Sequence, residues 1–241
     1  TLNRPEKLNA LDAEMVDCLA LRCRDIERSD AHVVILSGAG KAFCAGGDIA
    51  AWSDESPEAF GRHWVREGHI AFDALARLRQ PVIAVLVGHA LGGGLELAAC
   101  ADLRIAETQI KIGQPESGLG IIPGWSGTQR AVRRFGAQAV RRMAVMGEVF
   151  SAEEAMRLGI VDHVVSKGEA MRMAGDMAAN VLRRGPRATE LAKMMVNAAE
   201  GEDRERVIEA LAGTIAAASD DLAIGLAAFR EKRKPDFGDT S

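Results

Sequence analysis

The sequence predicts an α/β fold. Two short β-branched runs, Val33-Val34-Ile35-Leu36 and Val82-Ile83-Ala84-Val85-Leu86-Val87, each end near a glycine and lead into stretches of helical character, the alternation expected of a sheet covered by helices. After about Lys167 no further strand-like run occurs, and the chain reads as successive helices to Arg233. A chain of 241 residues with 48% hydrophobic content can bury one sizeable core, so these signals describe a large domain with an appendage rather than two unrelated domains.

Between the two runs, Phe60, Trp64, Phe72, Leu75 and Leu78 recur near helical spacing from Pro57 to Arg79. That spacing predicts an amphipathic core helix, which Pro81 prevents from continuing. Leu103-Arg104-Ile105-Ala106 and the run from Ile160 to Val165 read as further strands, and Ser151-Ala152-Glu153-Glu154 opens a helix in the manner of a capping box. A boundary is expected near residue 168, between a strand-bearing core over 1–167 and a C-terminal helical region over 168–241. Gly185-Pro186 and Gly201 punctuate that region. Its helices are rich in Ala, Met and Leu, and their apolar faces need burial, a second subunit being one candidate.

Composition excludes several function classes. A net charge of −4 argues against a nucleic-acid-binding surface spread over the molecule, and the clusters Arg130-Ala131-Val132-Arg133-Arg134 and Arg141-Arg142 read as solvated helix faces. The apolar run from Pro81 to Val87 is far shorter than the roughly 20 residues a bilayer requires, which predicts a soluble, cytoplasmic protein. The start, Thr1-Leu2-Asn3-Arg4-Pro5, has neither an initiator Met nor a charged-then-apolar leader, so a short N-terminal piece is expected to precede it. The four cysteines show no paired spacing and the five histidines no short metal spacing, so no metal site or disulfide scaffold is expected.

Three nucleotide or nucleophile motifs fail on particular residues. Gly38-Ala39-Gly40-Lys41 would need Gly at 35 and Ser or Thr at 42 to be a phosphate loop, where Ile35 and Ala42 stand. Gly118-Leu119-Gly120 meets Pro123 where a dinucleotide fingerprint wants a third small residue. Gly124-Trp125-Ser126-Gly127 is followed by Thr128 where a nucleophile elbow needs glycine.

What survives is a constellation of three segments. Lys41-Ala42-Phe43-Cys44-Ala45-Gly46-Gly47-Asp48-Ile49 and Gly88-His89-Ala90-Leu91-Gly92-Gly93-Gly94-Leu95-Glu96 each place glycines after a strand, where backbone N–H groups are free to point at a ligand. Two such turns can present the pair of donors that a developing enolate oxygen requires, and Glu96 falls in the first turn of the helix that follows. The third segment, from Ile112 to Gly124, is an irregular loop too apolar for a simple solvated connection and carries Glu116. Near Glu96, this second carboxyl would leave one of the pair protonated and the other ionised. Cys44 has no base with motif support beside it and reads as packing.

In this order and spacing the three segments resemble the signature of the enoyl-CoA hydratase/isomerase (crotonase) superfamily. The resemblance runs from Asn3-Arg4-Pro5-Glu6-Lys7-Leu8-Asn9-Ala10-Leu11 to Ala228-Phe229-Arg230-Glu231-Lys232-Arg233-Lys234-Pro235. It implies a spiral of repeated ββα units followed by a helical trimerisation region, assembled as a homotrimer or a hexamer of paired trimers. It also implies oxyanion donors at the N–H groups of Gly47 and Gly93, with Glu96 activating water and Glu116 protonating the second acyl carbon. Coenzyme A enters as part of the substrate, and no metal or redox cofactor is implied. The implied substrate contacts are Lys7, Leu8, Ala45, Gly47, Asp48, Ile49, Ala50, Gly92, Gly93, Gly124 and Trp125, with Phe229 and Lys232 near the adenine. Both glutamates point to hydration, since isomerases of the superfamily typically keep only the one at the place of Glu116. The alternatives are an enoyl-CoA isomerase or another acyl-CoA lyase or hydrolase of the superfamily and, from another class, a non-catalytic RNA-binding homologue.

Two places depart from the family pattern. Ala50 stands where many hydratases carry lysine, removing one contact to the coenzyme. Trp125-Ser126 replaces the usual pair of small residues, so an indole beside the acyl pocket is expected to shorten it or to favour a flat acyl group.

Overall fold

A computed structural model describes residues 1–238. Along the chain, α1 (Ala13–Glu27) and β1 (Val34–Ser37) precede α2 (Ile49–Trp52), α3 (Pro57–Ala59) and α4 (Arg66–Ala76). Next come β2 (Val82–Leu86), β3 (Ala90–Leu91), α5 (Gly93–Ala98), β4 (Leu103–Glu107) and β5 (Lys111–Gly113). Then follow α6 (Gln129–Phe135), α7 (Ala137–Val140), β6 (Val149–Ser151), α8 (Ala152–Arg157) and β7 (His163–Val165). The last helices are α9 (Ala170–Leu182), α10 (Pro186–Ala199), α11 (Arg204–Ala217) and α12 (Asp220–Arg230).

The strands form two sheets. One is wholly parallel in the order β1-β2-β4-β7, and the other runs β3-β5-β6, with β5 and β6 antiparallel. The chain steps from the first sheet to the second and then into a helix, most plainly in β2-β3-α5. An isolated bridge from Cys44 to Ala90 makes the equivalent step after β1, before α2. This is the expected spiral of ββα units.

β2 shows why the sheet is covered on both sides. All five of its residues are buried, as in parallel sheets with helices on each face. Val82, Ala84 and Leu86 enter the main core with Phe72 and Leu75, while Ile83 and Val85 join Ile105 against Ala170, Ala174 and Ala178 of α9. The strand's period of two sorts one sequence into two cores, and alanine at every fourth position of α9 lets that helix lie close.

Several expectations are refined. The helix expected from Pro57 to Arg79 spans Pro57–Ala76, but Phe60–Val65 within it is π-helical. The sequence reading missed α1, which Asp12 caps by accepting from the Met15 N–H at 2.9 Å. Ser151 caps α8 as expected, accepting from the Glu154 N–H at 3.2 Å. The basic cluster of α6 is not a solvated face throughout. Arg130 is 1% exposed and pairs with Asp73 at 2.6 Å, because a guanidinium turned inward needs a carboxylate to accompany it. Arg142 pairs with Glu148 and Glu154 and lies over the Phe150 ring at 4.6 Å.

The chain divides into two compact units, 1–193 and 194–241. Both sheets and α1 through α9 lie in the first, so the change from strands to helices near residue 168 falls inside it. The second holds the end of α10 with α11 and α12, and exposes Ile208, Ile215, Leu222, Leu226 and Phe229. Among the described residues no helix is long and apolar enough to cross a membrane.

Candidate active site

The two glycine turns lie backbone against backbone. A Cβ on Gly94 would stand 2.1 Å from the Cys44 carbonyl oxygen, so only glycine lets α5 start where it does. This apposition brings the two expected donors together, since a Cβ on Gly93 would lie 3.3 Å from the Gly47 nitrogen. The bridge between Leu11 and Gly47 uses the Leu11 and Asp48 N–H groups and leaves that of Gly47 unused. Gly93 is the first residue of α5, where an N–H has no carbonyl one turn earlier to reach. Both donors are therefore available to a ligand at the positive end of the helix.

Glu96 sits on the same first turn, buried to 3% exposure. Its Oε1 accepts from the N–H groups of Trp125 and Gly127, each at 2.7 Å. Gly127 has to be glycine, because a Cβ there would come within 2.5 Å of that same oxygen. The buried Gln114 amide donates to the Gly127 carbonyl at 2.6 Å and fixes the loop that fixes the carboxyl. Burial raises the Glu96 pKa from 4.5 to about 7, the charge of Glu116 adds to the rise, and the backbone donors oppose it.

Glu116 opens a single 3-10 turn, Glu116–Leu119, and its carboxyl abuts Gly92, with Oε1 3.2 Å from where a Cβ on that glycine would be. Neither carboxylate oxygen has a hydrogen-bond partner among the described residues, although the side chain is buried. Its pKa is raised by burial. The two acids thus share a cavity in which ionising both is unfavourable.

That cavity, about 120 Å³, is lined by Gly47, Gly93, Glu96 and Glu116 on one side and by Trp52, Phe60, Trp64, Val65, Leu119, Ile121, Ile122 and Trp125 elsewhere. All three tryptophans of the chain face it. Ala45, Ile49, Gly92 and Gly124 also line it. The loop from Ile112 to Gly124 reaches the pocket as expected, although β5 and the 3-10 turn make it more regular than its composition suggests.

Other expected contacts lie outside the cavity wall. Lys7 ends the 3-10 turn Pro5–Lys7, and Leu8 follows it in a left-handed conformation, its carbonyl accepting from the Ala45 N–H at 3.1 Å. Asp48 is engaged by Arg4 at 2.6 Å, which holds its carboxyl below the usual range, and it caps α2 by accepting from the Ala50 N–H at 3.2 Å. Ala50 is exposed on α2. Phe229 and Lys232 are exposed in the second compact unit, on α12 and in the turn after it. Cys44 is wholly buried and its thiol is pushed up to about 12, so it packs as a neutral group.

Sequence reasoning missed Trp52, Phe60 and Trp64 as pocket residues, and Gln114 and Gly127 as supports of Glu96. Phe60 and Trp64 had been absorbed into a core stripe. A signal was present, since two of only three tryptophans fall within thirteen residues of each other, at 52 and 64.

The sequence model of the family described as enoyl-CoA hydratase/isomerase matches residues 1–240. A crotonyl-CoA hydratase of Syntrophomonas wolfei is 37% identical over 240 residues, covering 98% of this chain and 92% of that protein. A short-chain-enoyl-CoA hydratase of Clostridium acetobutylicum is 37% identical over 238 residues, covering 97% and 91%. Among solved structures, an enoyl-CoA hydratase from Bacillus anthracis superimposes with a TM-score of 0.78 at 33% identity, covering 98% of this chain and 93% of that one.

Proposed function

The chain belongs to the enoyl-CoA hydratase/isomerase family, and on that premise we propose that it is an enoyl-CoA hydratase, adding water reversibly and syn across a trans-2-enoyl-CoA to give a 3-hydroxyacyl-CoA. One observation carries this reading: Glu96 and Glu116 line a single cavity with the paired donors of Gly47 and Gly93. Moving a double bond needs one carboxyl to shuttle a proton, whereas adding water needs a second group to activate it.

The thioester oxygen accepts from the Gly47 and Gly93 N–H groups as negative charge builds on it, each donor contributing about 3–4 kcal/mol at the transition state. In the reactive state the one proton of the pair lies on Glu116, so that ionised Glu96 takes a proton from water as the water oxygen bonds to the third acyl carbon. Protonated Glu116 gives its proton to the second carbon. One proton enters the pair and one leaves it, and transfer between the carboxyls or through solvent restores the starting state. Oxidation state is unchanged across the molecule as a whole, so the chemistry calls for no redox cofactor, and the backbone donors do the work a metal ion would do on the carbonyl.

The coenzyme is proposed to lie along Lys7, Leu8 and the Asp48-Ile49-Ala50 edge, with Phe229 and Lys232 contributed from a neighbouring subunit. The exposed apolar residues of α11 and α12 support a homotrimer or paired trimers. A cytoplasmic location is proposed with this role.

The test follows the enoyl-thioester absorbance of crotonyl-CoA with the native protein, Glu96→Gln and Glu116→Gln. Rapid loss with the native protein, slowed at least about 100-fold in each variant, is expected. Retained double-bond migration with Glu96→Gln, and no hydration by the native protein, would make the chain an isomerase instead.

A further inference from the structure

We propose that Trp125 is the closed end of the acyl pocket and restricts the enzyme to short enoyl groups such as crotonyl, an inference that rests on the hydratase reading. The indole is 3% exposed and packs between the Trp64 ring, at 4.9 Å between centroids, and the Phe72 ring, at 5.0 Å. Its Nε1 donates to the Trp64 carbonyl at 3.0 Å, on the π-helical stretch, a kind of irregularity that recurs at functional sites.

Gly68 supplies the space for it. A Cβ at this buried position of α4 would stand 1.9 Å from Nε1, 2.3 Å from Cε2 and 2.4 Å from Cδ1 of Trp125. Glycine inside a helix is less stable than alanine, and here its lack of a side chain is what admits the ring. The opposite edge of the indole reaches the oxyanion donors, with Cζ3 2.9 Å from where a Cβ on Gly93 would be and Cη2 3.7 Å from the same point on Gly47.

The indole therefore spans the distance from the helix notch to the two glycines that hold the thioester oxygen. An acyl chain anchored on those glycines meets the edge of the ring, a wall pinned by a hydrogen bond and two aromatic neighbours. On the sides away from the cavity the ring is held by Trp64, Phe72 and the Gly68 notch, and well-packed interiors do not give way to extra methylenes. Only a short, flat acyl group fits beside it in a cavity of about 120 Å³ that must also hold the thioester. The backbone N–H of the same residue holds Glu96, so a side-chain substitution changes the wall while keeping that donor.

The experiment measures kcat/KM for the trans-2-enoyl-CoAs from crotonyl to decenoyl with the native protein, Trp125→Ala and Trp125→Phe, alongside calorimetric binding of butyryl-CoA and octanoyl-CoA. The native protein is expected to prefer crotonyl over octenoyl, which carries four more methylenes, by roughly 100-fold, within the range that even one misfitting methylene produces. Trp125→Ala is expected to raise the octenoyl-to-crotonyl ratio at least about 30-fold, chiefly by lowering KM for the longer substrate. Trp125→Phe, which keeps an aromatic ring and the fold, moves the ratio the same way by a few-fold. The inference is overturned if folded variants lose activity equally at every length, or if the native protein turns over octenoyl-CoA as readily as crotonyl-CoA. Failure of the hydratase reading looks different: no enoyl-CoA of any length is hydrated. The ratio of octanoyl-CoA to butyryl-CoA affinity in native and variant proteins then decides the wall by itself.

Discussion

Glu96 is pulled in two directions, because two backbone N–H groups favour its ionised form while burial and Glu116 favour the neutral one, and burial prevails. A carboxyl whose pKa rises from 4.5 to about 7 on folding binds its proton more tightly in the native state. Its contribution to stability is full below about pH 4.5 and is lost as the pH climbs through about 7. Glu96→Gln, neutral at every pH, should therefore be more stable than the native protein at about pH 8, by up to about 3 kcal/mol, and match it near pH 4. Thermal unfolding across that range checks this, and a variant no more stable at alkaline pH would mean that ionised Glu96 is well solvated. Both glutamates were legible in the sequence because each lies inside a glycine-bearing segment whose local geometry is fixed by near neighbours. Gln114 and Gly127 were not, since what they support is a carboxyl some eighteen and thirty residues away in the chain, at position 96.

The helical stretch from Pro57 to Ala76 shows where periodicity stops being informative. Phe72, Leu75 and Leu78 point into the core as the spacing predicts, whereas Phe60 and Trp64 line the pocket. Both belong to the π-helical stretch Phe60–Val65, which takes more residues per turn than an α-helix, an irregularity no count of 3.6 residues reveals. Arg130 was misread for a related reason: its partner Asp73 is 57 positions earlier. Gly68→Ala would ordinarily strengthen α4 by about 0.5–1 kcal/mol. Because its methyl group would overlap the Trp125 indole, the substitution should instead destabilise the protein by about 1–3 kcal/mol and reduce crotonyl-CoA turnover about 100-fold by displacing the ring against the thioester. Denaturant unfolding and steady-state rates read the two effects, and a more stable, fully active variant would show that the indole is not seated in that notch.

At the scale of the whole molecule, the α/β class was legible because β1 and β2 are short, β-branched runs with a glycine close behind, whereas the ββα spiral was implied only by the family resemblance. The weakest signals were β3 and β6, of two and three residues, whose pairing is set by partners elsewhere in the chain. The exposed Ile208, Ile215, Leu222, Leu226 and Phe229 form apolar helix surface for which a subunit interface is proposed. With a chain mass of 25.7 kDa, light scattering at micromolar concentration should give three or six times that value, and a monomer would remove the assembly from the proposal. The grouping of tryptophans has a separate consequence. The chain contains no tyrosine, and Trp52, Trp64 and Trp125 all face the one cavity. Practically all of the protein's intrinsic fluorescence thus originates at the site of chemistry, and an arriving ligand announces itself as quenching or a colour shift with no label attached.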